Sequence, residues 1–303
     1  MSPTADDGVS MLEDLREAGR IASAARGLGA ARVVAGASLL EVCQAVEHEI
    51  HRRGGALAFP VQTSRNDLAA HYCPSPDDET VYATGDLAKL DIGVHVDGWV
   101  VDTALTVNVG DVPRNRALVG AASRALDAAI AVARAGVPVR TLSAVIEQTI
   151  RDAGLQPVRN LCGHGVGRYV VHCAPPIPNV AGSSQDTLKA GAVVAIEPFA
   201  TDGPGHVSEE GVPEIFRLDP ASPATGAPHA DVVEAIRALS GLPFARRQLA
   251  AFDRAAIDET LVWLRRHARL TAYPPLLQKG GRPVAQAEHT IYVGPDGVEV
   301  LTA

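Results

Sequence analysis

With 303 residues, 47% of them hydrophobic, the chain can bury a large core in one domain or in one domain plus an insert. Its net charge of −8 argues against a protein that binds nucleic acid or anionic membranes through bulk charge. No apolar run approaches the ~18 residues of a membrane span. The first residues, with Asp6 and Asp7, have neither the basic nor the apolar region of a secretory signal, so the cytoplasm is expected.

Met11, Leu12, Leu15, Ile21, Ala22, Ala25 and Leu28 form a helix-like stripe over residues 11–30. A second helix starts at Ser38, where Ser38 and Glu41 make a capping box. Leu39, Val42, Val46 and Ile50 give it an apolar face, and Gly54 and Gly55 end it. Residues 89–107 read as a hairpin around the turn Asp97-Gly98. The second helix then recurs 100 residues later: Gly36, Glu47, Ile50 and Gly54 return as Gly136, Glu147, Ile150 and Gly154. Leu39, Val42 and Val46 return as Val139, Leu142 and Ile146, so an internal duplication is expected, with its halves meeting at a central site. Residues 193–196 and 290–293 are short apolar strands, and Gly294 to Gly297 turn the last hairpin. Residues 203–275 differ in character: a Pro/Ser/Gly/Ala-rich loop at 219–228 leads to helices near 230–240 and 254–270. The expected fold is an α+β domain with duplicated halves, formed by 1–202 and 276–303, carrying a small helical insert at 203–275.

The hairpin can be taken further. A two-residue turn at Asp97-Gly98 puts Gly93 opposite Asp102 and Ala104 opposite Asp91. Asp91 and Asp102 then share one face as diagonal neighbours ~7–8 Å apart at the backbone, a spacing that suits two metal ions ~3.5–4 Å apart. Asp97 belongs to the turn and points elsewhere. Glu197 follows the run Val193-Val194-Ala195-Ile196, and Glu288 ends Val284-Ala285-Gln286-Ala287. A carboxylate beside a buried strand is costly unless a cation or hydrogen bonds compensate it. Either glutamate alone could be a satisfied core residue. His164 sits among glycines in Gly163-His164-Gly165, where the backbone can approach closely. Together, four carboxylates and one imidazole make a hard site for two divalent ions, Mn, Fe(II), Co or Zn. The four cysteines, Cys43, Cys73, Cys162 and Cys173, read as free thiols. A competing Cys2His2 zinc site from Cys162, His164, His172 and Cys173 has poor ligand spacing.

At this point the sequence resembles the methionine aminopeptidases of the pita-bread fold over nearly its whole length. Leu90 to Gly98 followed by Val101-Asp102-Thr103 is similar to that family's two-aspartate hairpin, and Gly163-His164-Gly165 with His172 to its histidine loop. Ala195 to Ala200 and Ala285 to Thr290 are similar to its two glutamate strands. The 91-residue interval between the glutamates resembles the type II subclass, in its short archaeal form, with a winged-helix-like insert in between. The stretches Asn66 to Tyr72, Ile177 to Val180 and Tyr273 to Leu276 point the same way. Two positions depart from the type II pattern: Gly165 stands in place of Ser, and Ala287 in place of Phe, which bears on pocket shape.

The resemblance implies hydrolytic release of N-terminal methionine ahead of a small second residue. Asp102 and Glu288 would bridge two metals; Asp91 would bind one, and His164 with Glu197 the other. A bridging hydroxide would attack, with Glu197 shuttling the proton. His71 and His172 would position the peptide and stabilise the oxyanion, and Phe59, Val171, Phe199 and Tyr273 would form the methionine pocket. The implied partners are the N-termini of nascent proteins and peptides, met by a monomer with no membrane or specific nucleic-acid partner. Two alternatives stay open. One is an X-Pro aminopeptidase or prolidase of the same fold. The other is a non-catalytic binding protein whose insert touches RNA or the ribosome through Arg246, Arg247, Arg265 and Arg266.

Overall fold

The computed structural model describes residues 5–221 and 224–303. Residues 1–4, and residues 222–223 of the expected 219–228 loop, lie outside the described residues. Helix α1 (Ala5–Arg32) buries Leu15, Ala18, Ile21, Ala22 and Ala25, three or four positions apart along one face. Helix α2 (Leu39–Arg52) starts where Ser38 Oγ accepts from the Glu41 amide at 3.3 Å. It stops where Gly54 turns left-handed at φ +88°. Strands β1 (Ala56–Leu57) and β2 (Gln62–Arg65) follow, then the hairpin β3 (Leu87–Val96) and β4 (Trp99–Asn108). Asp97 and Gly98 both have positive φ, 46° and 86°, as a type I′ turn requires. The register pairs Val96 with Trp99, Gly93 with Asp102 and Asp91 with Ala104, as the sequence predicts.

The pattern then repeats. Helices α3 (Arg116–Val132) and α4 (Val139–Asp152) precede the hairpin β5 (Cys162–Gly167) and β6 (Val170–Pro178). Helix α4 again ends at a left-handed glycine, Gly154. The duplicated glutamates do the same work: Glu47 accepts from the Val61 amide and Glu147 from the Ala181 amide, each holding a loop against its helix. Strand β7 (Val193–Ile196) completes the second half. Along the chain come β8 (Ile215–Leu218), β9 (Phe244–Ala245) and β10 (Leu270–Tyr273), then β11 (Glu288–Val293) and β12 (Val298–Val300).

Nine strands form one curled antiparallel sheet in the order β1–β3–β4–β11–β7–β5–β6, with β2 also on β3 and β12 on β11. The helices cover its outer face: Leu90, Ile92 and Val94 pack among α1 and α2 residues, and Val194, Ile196 and Ile291 among those of α3 and α4. Because strand side chains alternate, the intervening residues face the concave side. The two hairpin tips meet there. Tyr169 donates its amide to the Gly98 carbonyl at 2.7 Å, and Arg168 donates to the Asp97 carboxylate at 2.6 Å.

Strand β8 is central to a separate small sheet, β9–β8–β10. With α5 (Ala230–Ala238) and α6 (Arg254–Arg266) it encloses its own cluster of Phe216, Val232, Ile236, Phe244 and Leu264. Both helices are shorter than the sequence pattern predicts. Ala268, at φ +52°, reverses the chain after α6, and Leu270 enters β10. Arg247 ties this unit to the sheet: buried, it donates to the Val61 carbonyl at 2.7 Å, to the Pro74 carbonyl at 3.0 Å and to Glu47. Arg246 is engaged by Glu214 and Asp258. Of the four arginines considered for a basic patch, only Arg265 and Arg266 are exposed. No helix among the described residues is long and apolar enough to cross a membrane.

Candidate metal centre

The concave face holds a cavity of about 500 Å³. Asp91 and Asp102 reach it from the first hairpin, His164, Val171 and His172 from the second, Glu197 from just after β7, and Phe199 from the start of the short strand Phe199–Thr201. Phe59 precedes β2, His71 follows the short strand Leu68–Ala70 after it, and Tyr273 comes from β10. Glu288 lies beneath, 1% exposed, at the start of β11. Every residue singled out for the site therefore converges on one place, although the chain delivers them from six segments.

Two groups of donor atoms lie within 4.8 Å of one another: Asp102, His164 and Glu288, and Asp91, Glu197 and Glu288. Glu288 belongs to both, so the two groups share a carboxylate and each could hold an ion. Glu197 is grouped with Asp91 and Glu288, whereas the resemblance implies that it shares an ion with His164. Neither group contains a thiol. Cys162 and Cys173 line the cavity, but the described residues bring no Cys2His2 cluster together. Gly165 does not line it: a Cβ there would meet the Ala174 carbonyl and Cys173 Sγ, at 2.5 and 2.8 Å. Ala287 packs instead against the second core.

The electrostatics follow from burial. Asp91 is pushed up to about 6 by loss of solvation, opposed by hydrogen bonds from Gln286. Asp102, Glu197 and Glu288 are driven well above the carboxylate range, by burial first and then by neighbouring carboxylates: Asp91 for Asp102, Asp91 and Asp102 for Glu197, and all three others for Glu288. His164 is lowered to about 3 and His71 to about 4 by burial and then by His172. Asp91 Oδ1, Asp102 Oδ1 and both oxygens of Glu288 are buried with no hydrogen-bond donor. Orphaned carboxylate oxygens of this kind are rare in native interiors unless a cation or water satisfies them. The donors are hard and anionic with one imidazole, so the site fits divalent ions.

Several supporting residues were not singled out in the sequence. Gln286 Nε2 donates to Glu197 at 2.7 Å and sits 3.4 Å from Asp91, bridging the two carboxylates. Its signal was available: a lone amide in an apolar run, two positions before Glu288. Gln62 accepts from the His71 amide at 3.0 Å and holds that residue at φ +64°. Thr290 accepts from the Asp102 amide and donates to its carbonyl, both at 2.8 Å, and Asn179 donates to the Glu197 carbonyl at 3.1 Å. These are contacts between distant segments, and no local pattern encodes them.

Comparison with known proteins gives a consistent picture. Metallopeptidase family M24 matches residues 13–239. A methionine aminopeptidase of Methanothermobacter thermautotrophicus is 40% identical over 297 residues, 97% of this chain and 99% of that protein. One from Thermococcus onnurineus is 41% identical over 293 residues, covering 96% and 99%. The crystal structure of methionine aminopeptidase from Thermotoga maritima superposes with a TM-score of 0.72 at 22% identity, covering 100% of this chain and 98% of that one. At that identity it speaks for the fold alone.

Proposed function

The chain belongs to metallopeptidase family M24, and from that premise we propose that it releases the N-terminal methionine of proteins and peptides whose second residue is small. The observation that carries this reading is the pair of donor groups sharing Glu288 at the floor of a partly apolar cavity. Asp91, Asp102, His164, Glu197 and Glu288 would hold two divalent ions. When bound, such ions supply Lewis acidity, polarising the scissile carbonyl and acidifying water.

The remaining chemistry belongs to the chain. Phe59, Val171 and Phe199 are buried apolar walls that receive the methionine side chain and exclude water. Tyr273 stands edge-on to His71, with ring centroids 5.9 Å apart, and closes the pocket from the 203–275 insert together with Ile215 and Pro243. His71 and His172 are both held below the usual histidine range by burial, so they meet substrate as neutral imidazoles. A neutral imidazole donates one N–H to a developing oxyanion without giving up its proton. Glu197, oriented by Gln286, is the group that takes a proton and delivers it to the leaving amine. In this reading the enzyme meets nascent N-termini in the cytoplasm as a monomer.

The test is product analysis on metal-loaded protein given Met-Ala-Ser and Ala-Pro peptides. Free methionine from the first, lost in Asp102→Asn without unfolding, is expected. Cleavage confined to X-Pro bonds would replace methionine with proline specificity. No turnover with any divalent ion would leave only the binding-protein reading.

A further inference from the structure

Strand β8 alternates between two surroundings. Phe216 and Leu218 enter the insert core, whereas Ile215 lines the cleft. Arg217 therefore projects on the cleft side, two positions beyond Ile215. Its Nε donates to the Tyr273 hydroxyl at 3.2 Å, and Tyr273 is paired in register with Ile215. The guanidinium also lies near enough to His172 to add to the effect of burial in lowering that imidazole. Arg217 is half-buried, yet among the described residues no carboxylate pairs with it. Its insert neighbours differ: Arg246 is held by Glu214 and Asp258, and Arg247 by Glu47. An arginine held beside the cleft by a neutral hydroxyl keeps most of its donors, and its charge, available to a ligand.

Building on the aminopeptidase reading, we propose that Arg217 is a subsite for a peptide carboxylate downstream of the scissile bond. The planar guanidinium matches a carboxylate in a two-point contact. An extended peptide advances about 3.3–3.6 Å per residue. A carboxylate on the third residue thus lies roughly 7 Å past the scissile carbonyl, in the direction of the rim beyond His172. The location also answers an electrostatic difficulty. A protein of net charge −8 would otherwise repel an anionic peptide tail. The carboxylate could come from the C-terminus of a short peptide or from an acidic side chain, and one experiment separates them.

Rates of methionine release are compared for Met-Ala-Ser, its C-terminal amide, and the amide of Met-Ala-Asp, at low ionic strength, in wild type and Arg217→Met. Wild type is expected to favour one or both carboxylate-bearing peptides over the plain amide by about fivefold in kcat/KM. In Arg217→Met that ratio falls to near one. A preference for the free acid alone assigns the subsite to chain ends, and one for the Asp amide alone assigns it to side chains. Equal rates in wild type, or a preference that survives Arg217→Met, would overturn the proposal. Equilibrium binding of the same three peptides reads the same ratio if none is hydrolysed, so failure of the methionine reading does not hide the answer.

Discussion

Asp102→Asn should make the metal-free protein more stable while destroying its ability to bind metal. Asp102 and Glu288 offer buried oxygens within 4.8 Å of each other. Two unit charges at that separation repel by about 3–4 kcal/mol at an effective dielectric near 20. The fold escapes part of this by keeping protons on its carboxyls: burial, then Asp91, drives Asp102 well above its ordinary range. A carboxyl raised in this way contributes stability that is whole below the unfolded value near 4 and is lost as pH rises through the folded value. Relief from the substitution should therefore grow with pH, reaching about 2 kcal/mol at pH 7.5. That corresponds to a rise of roughly 4 °C in Tm. The assay is thermal unfolding in chelator at pH 5.5 and 7.5, followed by titration with Mn or Co. Wild type should gain Tm on adding metal and the variant should not. A variant that melts below wild type at pH 7.5, or gains as much from metal, would refute the argument that these carboxylates are assembled against their mutual repulsion.

Gly93 lies opposite Asp102, and a Cβ there would come within 2.3 Å of the Phe59 ring. Gly93→Ala should push that ring into the cavity, raising KM for methionine peptides and costing about 1–3 kcal/mol in chemical denaturation. Arg247→Met strands Glu47 in the interior, an expected loss of about 3–5 kcal/mol; adding Glu47→Gln should recover part of it in the same denaturation assay. His71, lowered to about 4 by burial and His172, is kept neutral by the fold. Its contribution is whole above an unfolded pKa near 6.5 and is lost as pH falls toward 4. Relative to His71→Gln, wild type should lose about 2 kcal/mol between pH 7 and 4.5, read from paired urea melts.

The hairpin pairing of Asp91 and Asp102, the caps of α2 and the 100-residue echo were all legible from the chain alone. Each depends on local rules: the period of a strand, the demands of a two-residue turn, the left-handed glycine that stops a helix. Residues 230–240 and 254–270 marked two helices correctly in kind but too long. The first ends at the left-handed pair Ser240 and Gly241, and the second at the reversal at Ala268 and the pairing of β10 with β8.

What composition and spacing determined on their own was a duplicated α+β chain with Asp91 and Asp102 on one face of a hairpin, because those properties are written in neighbours along the chain; His164, Glu197 and Glu288 joined them through resemblance to a family. Only the tertiary structure decided that Glu288 is shared by two donor groups, that Gln286 ties Glu197 to Asp91, and that Arg247 is structural rather than part of a basic surface. It also set Arg217 against the hydroxyl of the cleft residue Tyr273. The physical reason is the curl of the sheet. It folds two hairpins toward each other across β11 and β7, bringing carboxyl and imidazole groups from distant segments into one desolvated space. There their mutual energies depend on separations that sequence distance does not record.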